Sequence, residues 1–224
     1  MCGIFGYVGK LNAIEILEKG LKNLLYRGYD SYGFAVLNEK EILTYKKSGS
    51  FENLEENVKK TLKGKVGIAH TRWATKGEVN EKNAHPHFGC KMKLEKGIYH
   101  SDIAIVHNGQ VSNYERLREK LEIKGHHFWS NCDSEIFAHL LEETPSVDEY
   151  IKKIEREVRG TYALLALDLS KKELIAVRNG NPLVMGISSN GIFLSSDINA
   201  LLDLTKKFII LKDGEYARIR IRDI

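Results

Sequence analysis

The chain opens Met1-Cys2-Gly3-Ile4-Phe5-Gly6-Tyr7-Val8-Gly9-Lys10, MCGIFGYVGK. Ile4, Phe5, Tyr7 and Val8 form a short run too apolar to keep one face in water, which predicts a buried strand starting almost at the N-terminus. Cys2 stands at its head. A small residue after the initiator usually permits removal of Met1, and cysteine is then the first residue of the mature chain. A free α-amino group, with a reference pKa of ~7.7–8.0, can accept the proton of a thiol whose own reference is ~8.5. One residue then supplies nucleophile and base together, the N-terminal-amine variant of nucleophilic catalysis. Taken alone, Cys2 reads equally as a small hydrophobe at a fraying terminus.

Beyond this strand, Asn12 and Glu15 have capping-box spacing, and Ile14, Leu17, Leu21 and Leu24 recur at helical intervals. Residues 34–37 and 42–45 read as paired strands, followed by a helix carrying Leu54, Val58 and Leu62 and a strand over 66–69. The stretch from His70 to Asp102 is mostly irregular, and a loop of that length in a compact domain is more often functional than decorative. A strand over 103–106 runs into His107-Asn108-Gly109. Three helices follow, through Tyr114, Leu117 and Leu121, through Ile136 to Leu141, and over 147–158. The last third is mainly strands, over 162–167, 174–177, 183–186, 192–194, 208–211 and 216–221. Two packed sheets with helices outside would bury strands this apolar on both faces.

Composition excludes several classes. The 224 residues carry 34 Lys+Arg against 30 Asp+Glu, a net charge of +4 without a long basic run, so no nucleic-acid footprint is present. No stretch approaches the ~18 consecutive apolar residues of a transmembrane helix, and the N-terminus lacks a signal-peptide pattern, so a cytoplasmic protein off the membrane is expected. Cys2, Cys90 and Cys132 are odd in number and unpatterned, against a disulfide framework. Neither a repeat nor a linker interrupts the chain, and residues 1–224 are expected to form one domain.

Further motifs follow the first in order: Tyr26-Arg27-Gly28-Tyr29-Asp30-Ser31, His70-Thr71-Arg72-Trp73-Ala74-Thr75, Ala84-His85-Pro86-His87, His107-Asn108-Gly109, Cys132-Asp133-Ser134-Glu135, and Arg178 to Val184 with Ser195-Ser196-Asp197. Together with MCGIFGYVG they resemble the class II glutamine amidotransferases, enzymes of the N-terminal-nucleophile hydrolase type, over essentially the whole chain. YRGYDS and HTRWAT resemble the glutaminase domain of the glucosamine-6-phosphate synthases (glutamine-fructose-6-phosphate aminotransferases) more than the purine or asparagine branches. The resemblance implies an α+β fold, a four-layer αββα sandwich. It also implies hydrolysis of L-glutamine to glutamate and ammonia through a thioester on Cys2, without a cofactor.

The resemblance makes the Asn108 side-chain amide and the Gly109 backbone N–H the oxyanion donors. On spacing alone, Asn-Gly after a strand is a type I′ hairpin turn, although a helix rather than a returning strand follows here. Arg72 and Asp133 have the opposite charges that a zwitterionic amino acid requires, and the resemblance carries them over as binders of the substrate's α-carboxylate and α-ammonium. Asp133 also reads as a helix N-cap. Trp73 matches a mobile cover over the site and Thr75 a contact to the substrate head group. Lys76 stands where the family often has His, which leaves that contact open. Arg27 and His85 are carried as supporting residues, Arg27 ordering Cys2 and its strand.

Seven of the eight histidines lie between residues 70 and 127, and His85, His87 and Cys90 are conceivable soft metal ligands. Neither Cys-x-x-Cys nor His-Glu-x-x-His spacing occurs, so no metal is expected. A non-enzymatic His/Cys metal-binding module is the competing class. The segment 88–102, with its Glu95-Lys96-Gly97 turn, suggests an extra hairpin beside the site. The sugar-isomerase portion of the synthases is not in these residues, so the ammonia is expected to serve a separate synthase domain or subunit, with fructose 6-phosphate as acceptor. A stand-alone amidotransferase serving another acceptor is the alternative.

Overall fold

Along strand β1 (Gly3–Gly9) the side chains alternate: Phe5 and Tyr7 enter one core, Ile4 and Val8 another. Two-sided burial of the first strand sets the layering of the molecule. The computed structural model describes residues 2–73 and 78–221. After β1 come helix α1 (Ala13–Lys22), strands β2 (Ser31–Leu37) and β3 (Ile42–Ser48), helix α2 (Glu56–Thr61) and strand β4 (Val66–Arg72). Strands β5 (His87–Phe88), β6 (Met92–Glu95), β7 (Ile98–Ser101) and β8 (Ile103–Val111) follow. Helices α3 (Tyr114–Ile123), α4 (Ile136–Glu142) and α5 (Val147–Glu157) lead into strands β9 (Gly160–Asp168) and β10 (Glu173–Asn179). Strands β11 (Val184–Ser188), β12 (Gly191–Ser195), β13 (Lys207–Ile210) and β14 (Tyr216–Arg220) complete the described elements.

The strands form two antiparallel sheets. One has the order β13-β11-β12-β1-β4-β2-β3-β7-β6, the other β14-β10-β9-β8-β5. Between them lies a core of Ile4, Ala35, Leu37 and Ile68 from the first sheet and Val106, Leu165, Leu167 and Leu174 from the second. Outside the first sheet, Ile14, Leu17 and Leu21 of α1 pack on Phe5, Phe34 and Val36. Each of these three is fully buried, which contributes about 1.5–3 kcal/mol apiece. Outside the second sheet, α3, α4 and α5 cover Ile105, Leu164, Ala166, Ile175 and Val177. The result is the expected αββα sandwich.

Four local expectations change. Asn12 precedes α1 as expected, but its side chain makes no capping bond and donates to Glu15 Oε1 at 3.2 Å instead. Asp133 does not cap a helix. It is the first residue of a short 3-10 turn (Asp133–Glu135), and its carboxylate reaches across to strand β8. The Asn108-Gly109 pair is no hairpin turn, because β8 continues through it to Val111, paired with β9 throughout. The 88–102 segment does form a hairpin, β6–β7, with Lys96 and Gly97 at positive φ in its turn. It extends the far edge of the first sheet through β3 rather than lying beside the N-terminal strand. No helix among the described residues is long and apolar enough to cross a membrane.

Candidate active site

Cys2 sits where three expected motifs meet. Strand β1 pairs with β4 in a register that sets Gly3 opposite Thr71, so Cys2 lies beside the Arg72-Trp73 end of HTRWAT. Its Sγ receives the backbone N–H of Trp73 at 3.3 Å and lies 3.5 Å from the Trp73 carbonyl oxygen. The Cys2 carbonyl accepts from Arg27 Nε at 3.1 Å and from Asn108 Nδ2 at 2.9 Å. The Cys2 backbone is thereby held from β8 of the second sheet and from the short 3-10 turn Leu25–Arg27 ahead of β2. Burial pushes the Cys2 thiol up, against the opposing pull of the Trp73 N–H and the Arg72 and Arg27 charges. A thiol in this setting needs a base.

Arg27 is itself fixed. Its guanidinium donates to Asp197 at 2.8 Å, and the Tyr26 hydroxyl donates to the same carboxylate oxygen at 2.5 Å. Burial alone would raise Asp197, but these donors hold its carboxyl below the ordinary value. Ser196 adds a second tether: its hydroxyl accepts the Ile4 N–H at 3.0 Å, and its own N–H donates to the Ile4 carbonyl at 3.1 Å. Between Arg27 and Tyr29, Gly28 lies against the strand end that carries Arg72 and Trp73. A Cβ there would stand 2.6 Å from the Arg72 carbonyl carbon, so only glycine lets the two motifs touch.

Asn108 is oriented by a histidine. His70 Nε2 stands 3.1 Å from Asn108 Oδ1, and His70 is neutral, because complete burial lowers its pKa to about 3. A neutral ring donating from Nε2 fixes the amide with its NH2 toward Cys2. The Asn108 main-chain carbonyl accepts from Asn181 Nδ2 at 3.0 Å. Gly109 has φ +143°, and a Cβ there would lie 1.9 Å from the Thr161 carbonyl oxygen of β9. The HNG glycine is thus demanded by both conformation and space.

Asp133 accepts the backbone N–H of Val111, two residues beyond Gly109, at 2.6 Å. Arg72 is buried at the end of β4, with Nη1 3.4 Å from the Glu78 carbonyl. Trp73 contributes through its backbone, while its ring is partly exposed and packs edge-on against Tyr29 with centroids 5.3 Å apart. His85 touches the site at one remove, stacked on His70 with centroids 4.0 Å apart. Thr75 and Lys76 lie outside the described residues. Cys90 does not join His85 and His87 as sequence order suggested. Their near neighbour is Cys132, and Cys90 faces His126, His139 and Glu142.

Residues 96–203 match the family model of a glutamine amidotransferase domain. The chain is 45% identical over 222 residues to the glutamine-fructose-6-phosphate aminotransferase (isomerizing) of Thermus thermophilus, covering 98% of this chain and 35% of that protein. It is 42% identical to the enzyme of the same name from Thermococcus kodakarensis, covering 97% and 36%. Among solved structures, the glutamine phosphoribosylpyrophosphate amidotransferase of B. subtilis superposes with a TM-score of 0.75 at 25% identity, covering 99% of this chain and 49% of that one. The likeness to glutamine amidotransferases thus runs over nearly the whole of this chain. The chain spans about a third of the length of the curated relatives it matches.

The sequence singled out Cys2, Arg27, Arg72, Trp73 and Asn108, which the structure gathers around one strand end, but it gave no role to four residues that hold them. His70, Asn181, Ser196 and Asp197 all stand inside quoted motifs, yet their function is visible only once β1, β8 and β12 are brought together. Lys46 had no signal at all. It is buried, its ammonium donates to the Ala84 and Pro86 carbonyls at 2.8 and 3.0 Å, and burial lowers its pKa to about 8. It clamps the Ala84-His85-Pro86-His87 turn against the sheet.

The buried histidines should make the protein acid-sensitive. Burial lowers the pKa of His70, His85, His87 and His107 below 6.5. Between pH 6.5 and the lowered values the unfolded chain binds more protons than the folded one, so stability falls as pH falls. The slope approaches about 1.4 kcal/mol per pH unit for each histidine. His139 runs the other way, since Glu135 and Glu142 outweigh its burial and raise it. Urea midpoints are expected to drop steeply between pH 7 and pH 5, and a flat profile over that range contradicts the neutral cluster.

Proposed function

We propose that residues 1–224 form a cytoplasmic glutaminase unit that releases ammonia from L-glutamine for the amination of a sugar phosphate, fructose 6-phosphate, on a separate isomerase domain or subunit. The contact that carries this reading is the Cys2 sulfur accepting the Trp73 N–H while Asn108 and Arg27 hold the Cys2 carbonyl. In the reaction, the sulfur attacks the side-chain carbonyl carbon of glutamine, and the α-amine freed by loss of Met1 takes the thiol proton. That proton then goes to the departing nitrogen, ammonia leaves, and water cleaves the thioester to glutamate.

The remaining residues divide the substrate between them. Arg72 takes the α-carboxylate, Asp133 the α-ammonium, Trp73 covers the site, and Thr75 helps hold the head group. An amide NH2 has two protons, so Asn108 can hold the Cys2 carbonyl with one and meet the oxyanion with the other, beside the Gly109 N–H. Arg27 and His85 are supporting residues. No cofactor enters any step.

Mass spectrometry of the protein after exposure to an electrophilic glutamine analogue tests this reading. One adduct is expected, on Cys2 of a chain lacking Met1, and excess glutamine should protect it while asparagine does not. Labelling at Cys90 or Cys132 instead would remove the basis for the assignment. Mixing with a sugar-isomerase partner and fructose 6-phosphate then tests the acceptor: glutamine-dependent aminosugar formation is the expected outcome.

A further inference from the structure

Away from Cys2, three separate segments bring four metal-ligating side chains to one point. Cys90 follows β5, His126 follows α3, and His139 and Glu142 stand three residues apart on α4, a spacing that puts both on one helix face. The donor atoms lie within 4.8 Å of one another. Cys90 Sγ is 3.4 Å from His126 Nδ1 and 3.6 Å from His139 Nδ1. Glu142 Oε2 is 3.1 Å from His126 Nδ1 and 2.9 Å from His139 Nδ1. A tetrahedral zinc with bonds of ~2.0–2.3 Å needs ligand atoms about 3.3–3.7 Å apart, so only small adjustments separate these side chains from a coordination shell.

The surroundings point the same way. Metal-binding histidines usually present their second ring nitrogen to a carboxylate, and a ligating carboxylate is usually held by its other oxygen. Here His139 Nε2 lies 3.5 Å from Glu135 Oε1, and His126 Nε2 lies 3.6 Å from Glu143 Oε1. The second oxygen of Glu142 accepts the Cys90 backbone N–H at 2.7 Å. Thiolate, two imidazoles and one carboxylate in a tetrahedron suit zinc better than the hard cations, which prefer oxygen.

We propose that Cys90, His126, His139 and Glu142 form a structural Zn2+ site that braces the segment carrying Asp133. Binding deprotonates the Cys90 thiol, and the proton leaves to solvent. With four protein ligands the site is closed to substrate, as structural zinc sites are. Its link to the reaction is mechanical. Glu135, beside His139, also accepts from the Trp129 and Ser130 backbone N–H groups at 2.5 and 2.7 Å, fixing the turn from which Asp133 projects. Sequence spacing conceals the site because its ligands come from three segments with no motif between them.

Cobalt titration of the chelator-stripped full chain tests this. One equivalent of Co2+ is expected to give the thiolate charge-transfer band and the intense visible bands of tetrahedral cobalt, both displaced by one equivalent of Zn2+. Cys90→Ser should lose the charge-transfer band, and His126→Ala should weaken binding at least ~10-fold, the usual lower bound for disturbing such a shell. Cys132→Ser, which disturbs the other cluster of His85, His87 and Cys132, should bind as the parent does. Zinc should also raise the melting temperature of the parent but not of Cys90→Ser. A parent protein that takes up no stoichiometric cobalt, or a Cys90→Ser protein that retains the thiolate band, overturns the proposal. If Cys132→Ser loses the spectrum while Cys90→Ser keeps it, the proposal also fails.

Discussion

Replacing Cys2 with alanine is expected to remove glutamine hydrolysis almost entirely, lowering turnover by about 10^4- to 10^6-fold, the range seen when an essential nucleophile is deleted. The fold should survive. Cys2 precedes the first residue of β1, its carbonyl rather than its side chain makes the two bonds that tie it to Arg27 and Asn108, and those bonds remain in the alanine variant. Glutamine binding should persist as well, since Arg72 and Asp133, the proposed head-group binders, are untouched. Binding calorimetry beside a glutamate-release assay separates the two: retained affinity with lost turnover is expected. Appreciable hydrolysis by Cys2→Ala ends the assignment of the nucleophile.

A second form of the protein isolates the base. A chain with one extra residue fixed ahead of Cys2 keeps the thiol but converts its amine to an amide, which cannot accept a proton. Burial already holds the Cys2 thiol above its ordinary pKa. Without the amine there is no local acceptor, and the extended form should be nearly as inactive as the alanine variant. In the processed chain, kcat/KM should rise with pH through the amine's range of ~7.7–8.0, where the free base accumulates.

The fold was legible where side-chain alternation was clear. Phe5 and Tyr7 against Ile4 and Val8 announce a strand covered on both sides, and the helical spacing of Ile14, Leu17 and Leu21 announces its cover. The misreadings share a physical cause: a residue type with a strong local preference was overruled by a tertiary partner. Asn108-Gly109 has the local chemistry of a turn, but pairing with Ala163 and Tyr162 on β9 keeps it in a strand. Asp133 has the chemistry of a cap, but the Val111 N–H claims its carboxylate. Lys46, on which the sequence offered no reading, was hidden for the same reason: it has the chemistry of a surface residue, but the carbonyls of the 84–86 turn offer it a buried seat. The candidate site was legible as a set of motifs, and its geometry was not, because the bonds that assemble it join residues as far apart as Cys2 and Asn108.

The HNG pair separates chemistry from architecture, and its two members should fail differently. Asn108→Ala removes one proposed oxyanion donor, for which about 10^2- to 10^3-fold in kcat is the expected loss. It also removes one of two partners from His70 Nε2, which keeps the His107 carbonyl, and from the Cys2 carbonyl, which keeps Arg27 Nε, at about 0.5–1.5 kcal/mol for each lost bond. KM should stay near the parent value, because a donor that acts on the developing oxyanion does not hold the ground-state head group. A raised KM with unchanged kcat contradicts the oxyanion role. Asn108→Asp sharpens the test: its carboxylate still accepts from His70, yet it cannot donate to the oxyanion and brings a like charge toward it, so turnover should fall at least as far. Gly109→Ala keeps the backbone donor and breaks the frame. Its Cβ would stand 1.9 Å from the Thr161 carbonyl oxygen at φ +143°, so β8 must move off β9 just where the N–H is aimed. Overpacking and left-handed strain cost about 1–3 kcal/mol each. A lowered melting temperature together with lost turnover is expected for Gly109→Ala, whereas Asn108→Ala should lose turnover with the smaller change in melting.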